Sequence, residues 1–259
     1  MEGARQLVRL VLNDAVGWRR WAPGALRLAT STSLGRLERS VLTEAVRAGG
    51  GGHPALRWRA LGAALAEGLE PDEAPATAVI DLGAETTEMA LFAGGRLYRS
   101  KSLARGAQDL TAAVLRGFSE ERHVELGLHT AEALKCSLGS AHPGDTAALA
   151  QEVQGRGRAS GLPEQVTVSR ADLRAWFEPE LHQLESAARQ MFSQLEPEVA
   201  SDLVRRGVLL AGGGARLHGM AEFLGTVLGL RVRLASDPQT CGARGALLPQ
   251  PAGGLGVAV

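Results

Sequence analysis

The chain has no surplus of charge of either sign. Its 28 basic and 28 acidic side chains cancel, which removes the electrostatic argument for a nucleic-acid partner, and no run of like charge forms an acidic or basic tail. Lysine is almost absent: Lys101 and Lys135 stand alone among arginines. That bias reads as GC-rich coding, so abundant Arg is not by itself evidence of phosphate recognition. Cysteine is equally scarce. Cys136 and Cys241 lie far apart in sequence, form no metal-ligand cluster and read as free, buried thiols in a reducing compartment. The six histidines make no local zinc site, and no Ser-His-Asp set stands out. No apolar run is long enough to span a bilayer, and the first residues lack the order of a secretion signal. The expected location is the cytoplasm.

What is present is patterned as an α/β protein. A chain of 259 residues suits one large domain or two lobes around a cleft. Over residues 5–21, Leu7, Val8, Val11, Leu12 and Val16 recur at helical spacing. Trp18, Trp21 and the flanking arginines would let this helix lie on a membrane surface, but the Pro23 and "ALRLA" that follow favour packing against a sheet. A second helix is expected over 34–47, closed by "AGGGGHP", and a third in "LRWRALGAALAEGL", before the polar hinge "EPDEAPAT". A hairpin follows, "TAVIDLG", "TEMALFAGG" and "RLYRSKSL", with Gly94-Gly95 as its tight turn. Helices over 107–118 and 130–138 come next. A loop-rich insert over 141–168 carries two short strands around "GRGRASGLP". Ser169, with Asp172 as box partner, caps a long helix that Pro179 bends or divides. Then "RGVLLAGGGARLHGMAEFLGTVLGLRVRLASDP" gives strand, glycine turn, helix, strand, the order of a mixed or parallel sheet.

Three short elements carry the chemistry. In "VIDLGAETTEMALF", Asp81 at a strand end can orient the water shell of Mg²⁺, which takes few protein ligands. Gly83 lets backbone amides approach phosphate oxygens, and Thr86 and Thr87 offer hydroxyls. An ordinary capped hairpin would read the same way. Gly212, Gly213 and Gly214, between strand and helix, bare the backbone to a ring or phosphate, though such turns often need glycine for packing alone. Glu132 and Lys135 share a helix face and could both reach a ribose, or simply form an exposed ion pair.

The order of these motifs resembles the MreB family of bacterial actin homologues. D-x-G-x-x-T-T is followed by T-A-E-x-x-K-x-x-x-G-S-A-x-P-G-D, L-x-G-G-G-A-x-L and D-P-x-T-C-x-A-R-G; the glycine loops are shared by the wider actin-like superfamily, and "SDPQTCGARGALL" and "LGSAHPGD" are the more specific. The resemblance implies an actin-like (ribonuclease H-like) ATPase fold. A complete second lobe would span 77–248, with a small insert subdomain at about 119–168. Residues 1–76 would be a remnant of the first lobe, and 249–259 a disordered tail. It assigns Asp81, Gly83, Thr86 and Thr87 to the second phosphate loop, Asp81 holding Mg²⁺ through water. Glu132 and Lys135 would face ribose and adenine, and Gly212, Gly213 and Gly214 would form the adenosine loop. "RLERSVLTEA" aligns Glu38 with the glutamate that positions the attacking water, with Thr86 and Thr87 near the γ-phosphate. ATP and Mg²⁺ are the implied cofactors. Self-association, and membrane-associated cell-wall synthesis proteins met at the inner face of the membrane, are the implied partnerships.

The sequence departs from that pattern in three places. Ala84 and Glu85 replace a Gly-Gly turn; a Cβ restricts positive φ, and a carboxylate near phosphate costs about 1 to 4 kcal/mol, weakening ATP binding about tenfold or more. No first phosphate loop of the form D-L-G-T-A-N-T precedes Arg5, which predicts a missing cleft wall and an exposed sheet edge. "PQPAGGLGVAV" stands where a C-terminal helix is expected. These departures also suit a non-catalytic module that modulates a full-length filament, or a fragment of a longer chain.

Overall fold

The computed structural model describes residues 2–16, 26–69, 75–94, 96–145 and 147–249. The interface tryptophans Trp18 and Trp21, Pro23, most of the hinge, Gly95 and the tail beyond 249 lie outside these residues.

The chain opens with α1 (Glu2–Val16), β1 (Arg27–Thr30), α2 (Arg36–Ala48), β2 (Ala55–Trp58) and α3 (Arg59–Ala66). β1 and β2 pair in parallel, Leu28 opposite Leu56. The stretch expected as one long helix thus begins as a strand: Leu56, Trp58 and their ladder partners override the helical propensity of the alanines that follow. α1 packs on α2 rather than on a sheet. Val8 lies against Gly49, while Leu7, Leu10 and Val11 stay exposed.

The main sheet is built from β3 (Thr77–Leu82), β4 (Thr87–Ala93), β5 (Arg96–Leu103), β9 (Val208–Ala211) and β10 (Val232–Leu234), in the order β10-β9-β3-β4-β5. β3, β9 and β10 run parallel, and β3-β4-β5 is an antiparallel meander. Every residue of β3 is buried, and all of β4 but Ala93, as expected for strands covered on both faces. One face takes Ile80, Leu82, Met89 and Leu91 into a large core with α4 (Ala107–Glu121), α6 (Arg170–Phe192) and α8 (Met220–Leu228). The other takes Val79, Ala90 and Phe92 into a smaller core with α3 and α9 (Cys241–Ala246).

α3 and α9 cross on glycine. A Cβ on Gly245 would stand 1.7 Å from the Gly62 carbonyl oxygen, which gives the "TCGARG" segment a packing role. The C-terminal carbonyls of α9 are capped from the β1-β2 sheet: Arg57 donates to Gly245 O and Leu248 O, and Arg27 to Leu247 O and Leu248 O. Cations belong at this negative end of a helix.

The insert is a three-stranded sheet of β6 (Val124–Glu125), β7 (Ala150–Gly157) and β8 (Pro163–Ser169), with α5 (Leu128–Leu138) between β6 and β7. β7 and β8 form the hairpin that "GRGRASGLP" predicts. Ser169 and Asp172 make the expected capping box, and α6 runs through Pro179 undivided. α7 (Pro197–Arg206), which the pattern did not reveal, precedes β9.

Candidate functional site

A cavity of about 1010 Å³ opens between the β3-β4 turn, the N-terminal half of α4, α5 and the glycine turn after β9. Small-molecule sites run from roughly 300 to 1,000 Å³. Ala84, Glu85, Glu132, Lys135, Gly213 and Gly214 line it, so three separate stretches of sequence converge on one space.

The glycine side is shaped by backbone. Gly212 has φ +90°, and a Cβ there would stand 2.2 Å from the Leu82 carbonyl oxygen; one on Gly214 would meet the Leu82 side chain at 1.7 Å. Those two glycines serve the turn and its packing. Gly213 alone is exposed with nothing near a Cβ, so it offers bare backbone to the cavity. Across from it, the buried Lys135 Nζ donates to Ala107 O (3.1 Å), Thr111 Oγ1 (3.0 Å) and Glu132 Oε2 (2.7 Å). The lysine end of the pair is buried and ties α5 to α4, while the Glu132 carboxylate stays half exposed toward solvent. Burial pushes the Glu132 carboxyl up, but Lys135 and Thr111 outweigh it and hold the group below its ordinary range. Gln108, His129 and Arg216 also line the cavity; none was singled out from sequence, because a polar side chain on a helix or turn gives no periodic signal.

The turn side is different. Residues 83–86 join two strands whose last pair is Leu82-Thr87, and its carbonyls hold the start of α4: Ala107 N donates to Gly83 O (3.0 Å) and Gln108 N to Ala84 O (2.8 Å). The amides of Ala84, Glu85 and Thr86 have no protein acceptor among the described residues, leaving three donors for an anion. Neither Ala84 nor Glu85 has positive φ, which corrects the expected backbone penalty; only the Glu85 charge opposes phosphate. Thr86 is half-buried in the turn. Thr87 is buried and donates to Arg105 O (2.8 Å), which ties its hydroxyl to the segment before α4 rather than to a γ-phosphate.

Asp81 is also engaged. Asp81 and Glu88 face each other across the β3-β4 ladder, two nearly buried carboxylates where like charges repel. Arg59, the first residue of α3, places Nε 2.7 Å from Asp81 Oδ2 and Nη2 3.5 Å from Glu88 Oε2. Thr32 N donates to Glu88 Oε1 (2.6 Å), and Asp81 Oδ1 lies against Gly212, only 2.6 Å from where a Cβ would be. Burial pushes the Asp81 carboxyl up, Arg59 pulls it down and Glu88 adds to the rise; the net shift is upward. This donor set does not fit a hydrated Mg²⁺, because one Asp81 oxygen is against a guanidinium and the other against backbone. The ion pair with Arg59 stands against the expected Mg²⁺ role of Asp81. Burial first, and Asp81 second, push the Cys241 thiol up to about 11, so it stays protonated. Cys136, expected to be buried, is exposed on the cavity wall.

Glu38 sits in the first turn of α2, where its Oε2 accepts from Gly35 N (2.8 Å) as a helix cap. It is not among the residues lining the cavity. The back of the glycine turn is fixed by the Ser140 loop: Ala141 N donates to His218 O (2.8 Å), and Ser140 Oγ is 3.0 Å from His218 Nδ1. The Ser140 hydroxyl, the Ala147 amide and Arg170 hold Asp145 down at about 2.

The model of one protein family, described as MreB/Mbl protein, matches residues 1–250. The chain belongs to the MreB/Mbl family. The cell shape-determining protein MreB of Escherichia coli K12 is 33% identical over 210 residues, which cover 81% of this chain and 60% of that one. The cell shape-determining protein Mbl of Bacillus subtilis is 28% identical over 214 residues, 83% of this chain and 64% of that one. This MreB/Mbl chain therefore spans about three fifths of the length of the relatives it matches. MreB5 of Spiroplasma citri bound to AMPPNP superposes with TM-score 0.87 at 24% identity, covering 95% of this chain and 73% of that one. The MamK double helical filament superposes with TM-score 0.76 at 17% identity, with 95% and 74% coverage. These structures establish the actin-like fold.

Proposed function

We propose that this MreB/Mbl-family chain binds an adenine nucleotide in the cavity beside Gly213 and takes part, by association with itself or with other actin-like subunits, in cell-shape determination. The observation that carries the reading is the convergence on one cavity of Glu132, Lys135, Gly213, Gly214 and, from the β3-β4 turn, Ala84 and Glu85, whose amides have no acceptor among the described residues. Relatives named as cell shape-determining proteins support the role. MreB5 structures titled as bound to AMPPNP and ADP support the ligand, and MamK, titled as a double helical filament, supports association. Gly213 and Gly214 would pass beside adenosine, Glu132 would reach the ribose through its outer oxygen, and the amides of Ala84 to Thr86 would face phosphate. No helix among the described residues is long and apolar enough to cross a membrane; membrane-associated cell-wall synthesis proteins at the inner membrane face are the proposed further partners. The reading is one of binding; Glu38, engaged as a cap, carries no hydrolytic step in it.

The test is equilibrium binding of a fluorescent ATP analogue to the wild type and to Gly213→Leu. A Cβ at this position meets nothing within 4 Å, so a leucine starts into open space on the cavity wall. Saturable binding in the wild type, weakened about tenfold or more in the variant at an unchanged melting temperature, is the expected result. Equal binding by both proteins rejects this cavity. Sedimentation with nucleotide checks association, and a chain that stays monomeric at all concentrations rejects that part.

A further inference from the structure

The buried acid pair behind the cavity has a cation of its own. Asp81 and Glu88 are opposite each other on adjacent strands, their side chains 8% and 0% exposed. Two such carboxylates cannot both stay ionised in a sheet interior without a compensating charge. A divalent ion is one solution, and it requires carboxylate oxygens turned toward solvent or a ligand. The sequence supplies another. Arg59 starts α3 just after β2, with its guanidinium between the two acids and its side chain 34% exposed. The α3 backbone is fixed by the Gly62-Gly245 crossing with α9, which pins the start of the helix and with it the arginine.

We infer that Arg59 is a tethered substitute for the divalent metal, so that the cavity binds its nucleotide without Mg²⁺. The inference deepens the nucleotide-binding reading and rests on it for the ligand, but the placement of the cation stands on the Arg59-Asp81-Glu88 geometry alone. A guanidinium carries one charge, so at ion-pair distance it offsets one of the two acids, leaves the pair sharing the remaining charge with Asp81 shifted toward its protonated form, and gives no coordination site. Among the described residues no group of three or more His, Cys, Asp or Glu could hold a metal ion. A metal-independent site holds ADP and ATP as free anions, the opposite of a site in which the metal bridges carboxylate and phosphate.

Two measurements on the full chain decide this. The first titrates the fluorescent ATP analogue into the wild type in excess Mg²⁺ and in EDTA. Affinities within about threefold of each other are expected; a loss of about tenfold or more in EDTA overturns the inference. The second needs no nucleotide: Mn²⁺ alone is titrated and free ion is read by electron paramagnetic resonance. The wild type should take up no Mn²⁺ that Asp81→Asn abolishes, and Arg59→Gln, which frees both acids, should gain a site. Wild-type uptake lost in Asp81→Asn overturns the inference even if no nucleotide binds. Absence of nucleotide binding in both media sinks the proposed ligand instead and leaves the Mn²⁺ result to judge Arg59. Should Arg59→Gln fail to fold, Arg59→Lys serves: it keeps the charge and is expected to match the wild type in both titrations, whereas a gained Mn²⁺ site counts against a charge-substitution role.

Discussion

The two sides of the cavity share an origin in sequence motifs and differ in what their side chains are free to do. On the glycine side, Gly213 shows bare backbone, and beyond its bonds to Lys135 and Thr111 Glu132 has an outer oxygen that accepts only a weak thiol bond from Cys136 (3.7 Å). On the turn side the motif side chains Asp81 and Thr87 already have protein partners, Arg59 and Arg105 O. Among the described residues the backbone amides of 84–86 and the Thr86 hydroxyl have no hydrogen-bond partner. A motif specifies which groups are near one another, and partners elsewhere in the chain decide whether they are available. The difference is that between a wall that receives a ligand and one whose side-chain chemistry has been internalised.

The comparison breaks most sharply at Arg59. Arg59→Ala leaves Asp81 and Glu88 buried without a cation, and truncating one member of a buried ion pair costs about 3 to 5 kcal/mol; with Arg59 itself a third exposed, about 3 is expected at neutral pH. The sign with pH follows from the raised Asp81 pKa. A carboxyl whose folded pKa lies above its unfolded value binds more protons when folded, so its burial costs stability above that window and the cost disappears as pH falls through the folded pKa. The variant should therefore recover toward the wild type in mild acid, as urea titrations at several pH values would show. A uniform loss at every pH would mean that Arg59 acts by packing.

The glycine side should break by volume instead of charge. Gly214→Ala puts a Cβ 1.7 Å from the Leu82 side chain and 3.1 Å from Ala107. Overpacking of this kind costs about 1 to 3 kcal/mol, and about 2 is expected, with no change in its pH dependence. A melting temperature equal to the wild type would show that Leu82 yields and that the glycine is not required for packing.

The pairing of Asp81 with Glu88 was within reach of the sequence. A turn of four residues between "VIDL" and "TEMA" places them opposite, both in strands too apolar to be wet. What the sequence could not show is Arg59. It lies in a segment whose alanines read as one helix, and its position opposite the acids depends on β2 ending at Trp58 and α3 starting one residue later. The glycine turn, the Glu132-Lys135 pair and the β7-β8 hairpin were legible because each is local. Short α7 and the capping use of Glu38 were not, since a cap and a catalytic carboxylate present the same letters. The Ala84-Glu85 turn is a third kind of case: the residue types predicted strain, and the backbone avoids it by keeping φ negative.

Glu85 is the one charge on the turn side that still faces the cavity. Glu85→Gln removes a repulsion from bound phosphate that is worth about 1 kcal/mol at an exposed site, so affinity for the ATP analogue should rise about fivefold. No such gain is expected for adenosine, which carries no phosphate. An equal gain for both ligands would place Glu85 near the base and would reverse the assignment of the two sides.

The smallest effect is expected behind the glycine turn, where the Asp145 network holds the Ser140 loop that pairs with His218. Asp145 is held down at about 2 by Ser140, the Ala147 amide and Arg170. A depressed carboxyl contributes stability above its unfolded pKa, near 3.8, and loses it as pH falls toward 2. Asp145→Asn should therefore be less stable than the wild type at neutral pH and converge with it in that acid window, because the wild type loses stability there, whereas Arg59→Ala converges in mild acid because the variant regains it. The two differences then close in separate windows: that of Arg59→Ala at higher pH, as the buried carboxylates left in the variant take up protons, and that of Asp145→Asn only toward pH 2, as the wild-type carboxylate is protonated. If Asp145→Asn instead ran parallel to the wild type down to pH 2, the loop would owe its position to the Ala141-His218 backbone bond and not to the carboxylate.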